Sequence, residues 1–321
     1  MSTQPSILNI NIAPTPVLTF SPVVLPVPGR QVPLQLKVSV PATGSNLPVL
    51  LFSHGHGQST FLSSLRGYGP LVDYFAAEGF VVVQPTHQDS KALGLDPNGP
   101  EGALFWRSRA DDMRVILDHL DHLDQVEAAV PGLAGRLDRT RIAAMGHSMG
   151  GHTVGQLAGM RVTDPVTGAT TGGQVESRLR AWVMMGAPGH GADLAPFATE
   201  HYPVLGGTTF DSMTAPVLVV AGDQDRSDRF SARADWRTDA YHRSPGPKCL
   251  FTVLGSGHML GGISGYDVAE TDDENPARVA FVRQTILAYL RTALQPADAS
   301  WDDAQQALQV QAQPQGRIEC K

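Results

Sequence analysis

Cysteine is scarce in this chain, and so are long apolar runs and clusters of positive charge. Only Cys249 and Cys320 occur among 321 residues, one inside a strand-like run and one beside the last residue. That pattern suggests neither a disulfide framework nor a redox pair. No apolar stretch reaches the roughly 18 residues that a membrane-spanning helix needs. No basic block or stripe is present and the net charge is −7, which argues against nucleic acid or an anionic membrane surface as a partner. The first ten residues lack a basic start, a sustained apolar core and a small-residue cleavage site. They do not read as a signal peptide, and the expectation is a cytoplasmic protein.

What remains is ordinary globular composition, 42% hydrophobic and 17% charged, in a chain long enough to bury a sizeable core. Two β-rich runs, 17–27 and 32–40, are punctuated by prolines and read as an opening antiparallel pair. From there the pattern alternates. Apolar runs at 47–52, 80–83, 142–145, 179–185, 216–221 and 248–254 have the continuous character of strands covered on both faces. Helical spacing separates them at 68–78, at 106–128 (Met113, Ile116, Leu117, Leu120, Leu123) and at 276–294 (Val279, Val282, Ile286, Leu290). Alternating strands and helices predict an α/β domain over residues 1–295, with a mostly parallel central sheet flanked by helices and ligands at the carboxyl ends of its strands. Residues 86–105 and 186–213 lack a period and read as lid-like insertions; 163–174 reads as a loop or hairpin. The Gln/Ala-rich tail, 296–321, is either frayed or docked through Trp301 and Leu308.

One junction carries chemistry. Gly146-His147-Ser148-Met149-Gly150-Gly151 follows the strand-like run ending at Met145 and leads into a small-residue helix. A Gly-x-Ser-x-Gly corner between strand and helix holds the serine hydroxyl out of a turn that only small neighbours allow. Serine is a weak nucleophile near neutral pH and needs a base, which in turn needs an acid to fix its tautomer. His258, on a glycine-flanked loop after the last predicted parallel strand, is the candidate base. Asp223 and Asp225 both leave the preceding strand and compete as the acid; Asp225, further past the strand end, is favoured, and the other is expected to bond nearby backbone amides. Charge developing on a substrate carbonyl needs two amide donors. The amide of Met149, at a helix start, is one, and that of His56, in His54-Gly55-His56-Gly57, is the other.

Other clusters are weaker. His54 and His56 have no spaced carboxylate or cysteine partner, so metal binding is not expected. Asp118-His119-Leu120-Asp121-His122-Leu123-Asp124 fits a solvated helix face, and His147 and His152 fit packing or hydrogen-bonding roles. Among the aromatic and sulfur side chains (Phe61, Tyr68, Trp106, Trp182, Met185, Phe210), Trp106 and Met185 are the substrate-binding candidates.

The strand-and-motif order over about residues 15–294 resembles that of α/β-hydrolases. Leu50-Leu51-Phe52-Ser53-His54-Gly55-His56-Gly57, the stretch from Gly79 to Ser90, and Gly146 to Gly151 resemble the branch of platelet-activating-factor acetylhydrolase-like, chlorophyllase-like and cutinase or polyester-hydrolase-like enzymes. The resemblance implies carboxylic-ester hydrolysis of a small-molecule ester, with Ser148, Asp225 and His258 as a triad, the His56 and Met149 amides as oxyanion hole, and no cofactor. The pattern departs from the acetylhydrolases in one respect, since no carboxylate follows Met184-Met185-Gly186-Ala187, where they carry the acid. The acid after the next strand is similar to the cutinase and dienelactone-hydrolase arrangement, which puts phospholipid specificity in doubt. A lactonase or amidase, or a ligand-binding member without catalysis, are the alternatives.

Overall fold

A computed structural model of the protein describes residues 14–121, 125–265 and 268–321. The first strands, β1 (Val17–Leu25) and β2 (Leu34–Pro41), pair antiparallel as their proline-punctuated sequence predicts. They lead into a nine-stranded sheet completed by β3 (Leu47–Ser53), β4 (Val81–Thr86), β5 (Leu137–His147), β8 (Ala181–Met185), β10 (Val217–Gly222), β11 (Lys248–Val253) and β12 (Gly316–Cys320). The spatial order is β1-β2-β4-β3-β5-β8-β10-β11-β12. The six strands from β4 to β11 in that order run parallel to one another, and the antiparallel pairs are β1–β2, β2–β4 and β11–β12.

Strand periodicity divides the core. In β3, Val49 and Leu51 join one buried cluster while Leu50 and Phe52 join the other; Ile142 and Ala144 of β5 oppose Ala143 and Met145 in the same way. Successive side chains alternate faces, so a continuous apolar run feeds both layers at once. The first face is covered by α2 (Trp106–Asp121), α3 (Gln125–Ala129) and α4 (Met149–Leu157). The second is covered by α1 (Gly69–Ala77), α7 (Pro276–Leu294) and α8 (Ser300–Gln309). Asn275 starts α7 by accepting the Arg278 amide at 3.0 Å, with Pro276 at the first helical position. Leu123, expected on the α2 stripe, lies outside the described residues, as do His122, Asp124 and the first ten residues.

The irregular stretches have more structure than their composition predicts. Residues 163–174 take the hairpin alternative, joining β6 (Arg161–Thr163) to β7 (Thr170–Gly172), and β6 also pairs with β9 (Thr208–Thr209) in a separate three-stranded sheet. The segment 186–213 folds as short 3-10 turns around α5 (Pro196–His201), and α6 (Asp239–His242) precedes β11. Among the described residues no helix is long and apolar enough to cross a membrane.

The tail takes the docked alternative, and the cysteine reading is corrected. Trp301 and Leu308 of α8 are buried, and β12 closes the sheet against β11 with Cys320 opposite Cys249. The two form a disulfide. Sequence reading missed the pair because the cysteines are 71 residues apart and only an edge strand hidden in a polar tail brings them together. Disulfides persist chiefly in oxidising compartments, so the pair weighs against the cytoplasmic expectation.

Candidate active site

The corner after β5 is as tight as its glycines imply. Ser148 has φ 55° and ψ −118°, a conformation that costs a non-glycine residue strain and clusters at functional sites. The crossing permits no side chains nearby: a Cβ on Gly150 would sit 1.9 Å from the Ser53 carbonyl oxygen, and one on Gly146 would sit 2.2 Å from that of Gly150. The Ser148 amide donates to the Met185 carbonyl of β8 at 2.8 Å, and its own carbonyl accepts the His152 amide at 3.1 Å, opening α4. The half-buried serine thus sits at the strand ends, on the wall of a cavity of about 330 Å³ that His56, Met149, Asp225 and His258 also line. Among the described residues no group hydrogen-bonds its hydroxyl.

Asp225 and His258 come from the ends of neighbouring strands, β10 and β11. His258 Nδ1 lies 2.7 Å from Asp225 Oδ2. Burial pushes the Asp225 carboxyl up, but the Arg237 guanidinium and His258 outweigh it and hold the group well below the usual carboxylate range. An ionised carboxylate only accepts, so Nδ1 carries the proton of this bond, which selects the tautomer whose lone pair is at Nε2. Arg237 donates from Nε to Asp225 Oδ1 at 2.9 Å and from Nη1 to the Gly186 carbonyl at 2.8 Å, fixing the carboxylate from its other side. Asp223 goes elsewhere: its Oδ1 accepts the amides of Gly255 and Ser256 at 2.8 and 3.3 Å, bracing the turn before His258. Asp273 holds the far side of that loop through the amides of Gly257 and Gly261.

A second set of buried groups carries the loop after β3. Neither the His56 amide nor the Met149 amide has an acceptor among the described residues. The His56 ring is tied from Nδ1 to Asp89 Oδ2 at 2.9 Å. Asp89 is buried, yet its ion pair with Arg109 and its bond to His56 keep the carboxyl below the ordinary range. Arg109, also fully buried, bonds Asp89, the His54 carbonyl and, at 3.1 Å, Thr153 Oγ1 of α4. Beneath it His87 spans Ser53 Oγ and Asp112 Oδ2, each at 2.9 Å, and Arg30 meets Asp112 from outside. Burial, against the pull of Arg30, raises the Asp112 carboxyl to about 6. Burial and the Arg109 charge push His54 and His87 well below the ordinary histidine range.

His147 links the two halves. The Gly55 amide donates to Tyr68 Oη at 3.0 Å, that hydroxyl bonds His147 Nδ1 at 2.9 Å, and Nε2 donates to the His258 carbonyl at 2.8 Å. Burial, reinforced by His258, lowers the His147 pKa to about 3, so the ring stays neutral and suits this relay.

The sequence-predicted site residues divide accordingly. Ser148, His258, Asp225, His56 and Met149 meet at one cavity. Trp106 does not reach it and instead lines a second cavity beside it. Met185 is buried in the sheet and lines neither; its carbonyl, not its side chain, touches the site. Trp182 and Phe210 are core, Tyr68 serves the relay, and Phe61 is largely exposed. Asp89, Arg109 and Arg237 escaped sequence reading. The run Thr86-His87-Gln88-Asp89-Ser90, polar yet directly after a buried strand, was the one available signal, since solvent alone rarely calls for so many hydrogen-bonding groups at a strand's carboxyl end.

No protein-family model matches the chain. It is similar to a platelet-activating factor acetylhydrolase of Cavia porcellus, 28% identical over 143 residues that cover 35% of this chain. The match spans about a third of that relative's length, 32%.

Proposed function

We propose that the protein is an α/β-hydrolase-fold serine esterase that cleaves carboxylic esters through an acyl-enzyme, with residues 86–105 and 186–213 covering the site. In this reading Ser148 Oγ attacks the ester carbonyl as His258 Nε2 takes its proton. The oxyanion is met by the amides of His56 and Met149; one such donor is worth roughly 2.7–4 kcal/mol in acyl-transfer enzymes. Collapse expels the alcohol, which receives the proton back from His258, and a water activated by the same ring releases the acid. Asp225 holds Nδ1–H and stabilises the imidazolium that forms in each half-reaction. Serine and imidazole close to hydrogen-bond distance as substrate fills the cavity, as is common between free and bound enzymes.

The observation that carries this reading is the 2.7 Å contact of His258 with Asp225 beside a serine held at positive φ on the same cavity wall. The acetylhydrolase similarity supports ester hydrolysis in general. The test is direct. Wild-type protein should turn over p-nitrophenyl acetate and be labelled at Ser148 by a fluorophosphonate, and Ser148→Ala should lose both while keeping its circular dichroism spectrum. Hydrolysis that persists in Ser148→Ala removes the proposed nucleophile.

A further inference from the structure

Beside the Ser148 cavity lies a second one of about 410 Å³, within the size range of small-molecule sites. Leu104 and Tyr202 line both. Tyr202 stands edge-on to His56, ring centroids 6.0 Å apart, and stacks on Phe230 at 5.9 Å, so it separates the two spaces as part of the catalytic wall. Beyond this partition Trp106, Val204 and Val166 give the second cavity an apolar lining, and Val166 stands exposed at its rim.

The carboxylates of this wall are already engaged, and His201 is tied from Nδ1 to the Phe197 carbonyl at 3.0 Å. Glu101 Oε2 accepts the Arg107 and Ser108 amides and the Ser108 hydroxyl, at the start of α2. Asp164 accepts Arg107 at 3.0 Å, the Val166 amide at 2.9 Å and the Thr167 hydroxyl at 2.9 Å. The carboxylates therefore cap a helix and a turn instead of facing a charged ligand. A space of this size, apolar and sharing the Leu104 and Tyr202 side chains with the site of attack, suits a chain that has no hydrogen-bonding needs.

We propose that the second cavity is a subsite for an unbranched alkyl arm of the ester attacked at Ser148, the arm passing between Leu104 and Tyr202. This rests on the esterase reading for the position of the carbonyl, but the cavity's affinity for alkyl chains does not depend on catalysis. Burying a methylene gains roughly fourfold in kcat/KM. Substrates with short arms would fill only the first cavity and lack that gain.

The experiment has two arms. Wild-type protein is assayed with p-nitrophenyl alkanoates from acetate to decanoate and with alkyl acetates from methyl to octyl, which distinguishes an acyl arm from an alcohol arm. The expected result is a stepwise rise in kcat/KM in one series, roughly fourfold per methylene until the cavity is full. In Ala103→Trp, which fills the second cavity, the octanoate-to-acetate ratio should collapse by tenfold or more. Val166→Asp, at an exposed position that leaves folding intact, should lower the same ratio and serves if Ala103→Trp fails to fold. Decanoate binding to Ser148→Ala is measured alongside by calorimetry, with and without Ala103→Trp or Val166→Asp. Flat profiles in both series, or decanoate binding indifferent to both substitutions, overturn the subsite while leaving Ser148 untouched. Decanoate binding that depends on these positions, in a protein that hydrolyses no ester, sustains the subsite and overturns the esterase reading.

Discussion

His56 Nδ1 and Asp89 Oδ2 lie 2.9 Å apart, and through Asp89 the loop bearing the His56 amide is anchored to the buried Arg109. The wall of the candidate site is therefore held by an ion pair that does not itself line the Ser148 cavity.

Asp89→Asn should reduce kcat by about 10-fold to 100-fold with little change in KM, because a donor displaced by a fraction of an ångström weakens the transition state more than the bound ester. Steady-state kinetics on one ester checks this. Equal loss in kcat and stability, or a change in KM alone, would tell against a positioning role. Arg109→Met should instead destabilise the fold by about 3–5 kcal/mol in urea, since it leaves a buried carboxylate without its cation.

The two aspartates after β10 should separate cleanly. Asp225→Asn leaves His258 free to adopt the wrong tautomer, and kcat should fall by about 10⁴. Asp223→Asn weakens the amide bonds of Gly255 and Ser256 and should cost about 1 kcal/mol of stability with kcat within severalfold of wild type. Reversal of these two results moves the acid to Asp223.

Acid should destabilise this protein early. His147 and His152 are both lowered to about 3 by burial, with His54 and His87 lowered in the same direction. The unfolded chain binds protons at these rings from about pH 6.5 downward while the folded protein does not. Stability is therefore full above about 6.5 and is lost as pH falls toward 3, at about 1.4 kcal/mol per pH unit for each ring that titrates only on unfolding. Asp112, raised to about 6, takes up a proton in the folded state over the same range and offsets part of one ring's effect, so with several rings lowered the melting temperature should still fall between pH 7.5 and 4; a flat profile down to pH 5 contradicts it.

Cys320→Ser should lower stability by about 2–5 kcal/mol, because the crosslink closes a long loop in the unfolded chain. Denaturant midpoints of this variant and of reduced wild type should agree; activity of the folded variant should stay close to normal, as β12 lies at the sheet edge away from Ser148.

The parallel strands were legible because continuous apolar runs of the right length, separated by helical stripes, leave few other arrangements. That Ser148, Asp225 and His258 converge on one cavity was legible for a related reason: each follows such a strand, and parallel strands bring their carboxyl ends to one rim. The groups beneath the rim were not. Arg109 sits on a helix whose apolar stripe reads clearly, but nothing local says that one cation on it turns inward to meet Asp89, because that pairing is decided by how α2 lies against α4 and the residues that follow β3 and β4. Trp106, a substrate-binding candidate from the sequence, lines the cavity beside that of Ser148, since aromatic character does not encode which side of Tyr202 it will face. β12 was hidden for want of an apolar pattern: at an edge, backbone pairing suffices and side chains stay polar.

The Cys249–Cys320 bond makes a covalent ring of everything between those residues, including His258, α7 and α8. A protease that cuts the loop between β11 and α7 would open this ring without detaching either piece. The nicked molecule would keep one mass and shed a fragment only on reduction, so damage there would go unseen wherever thiols are absent.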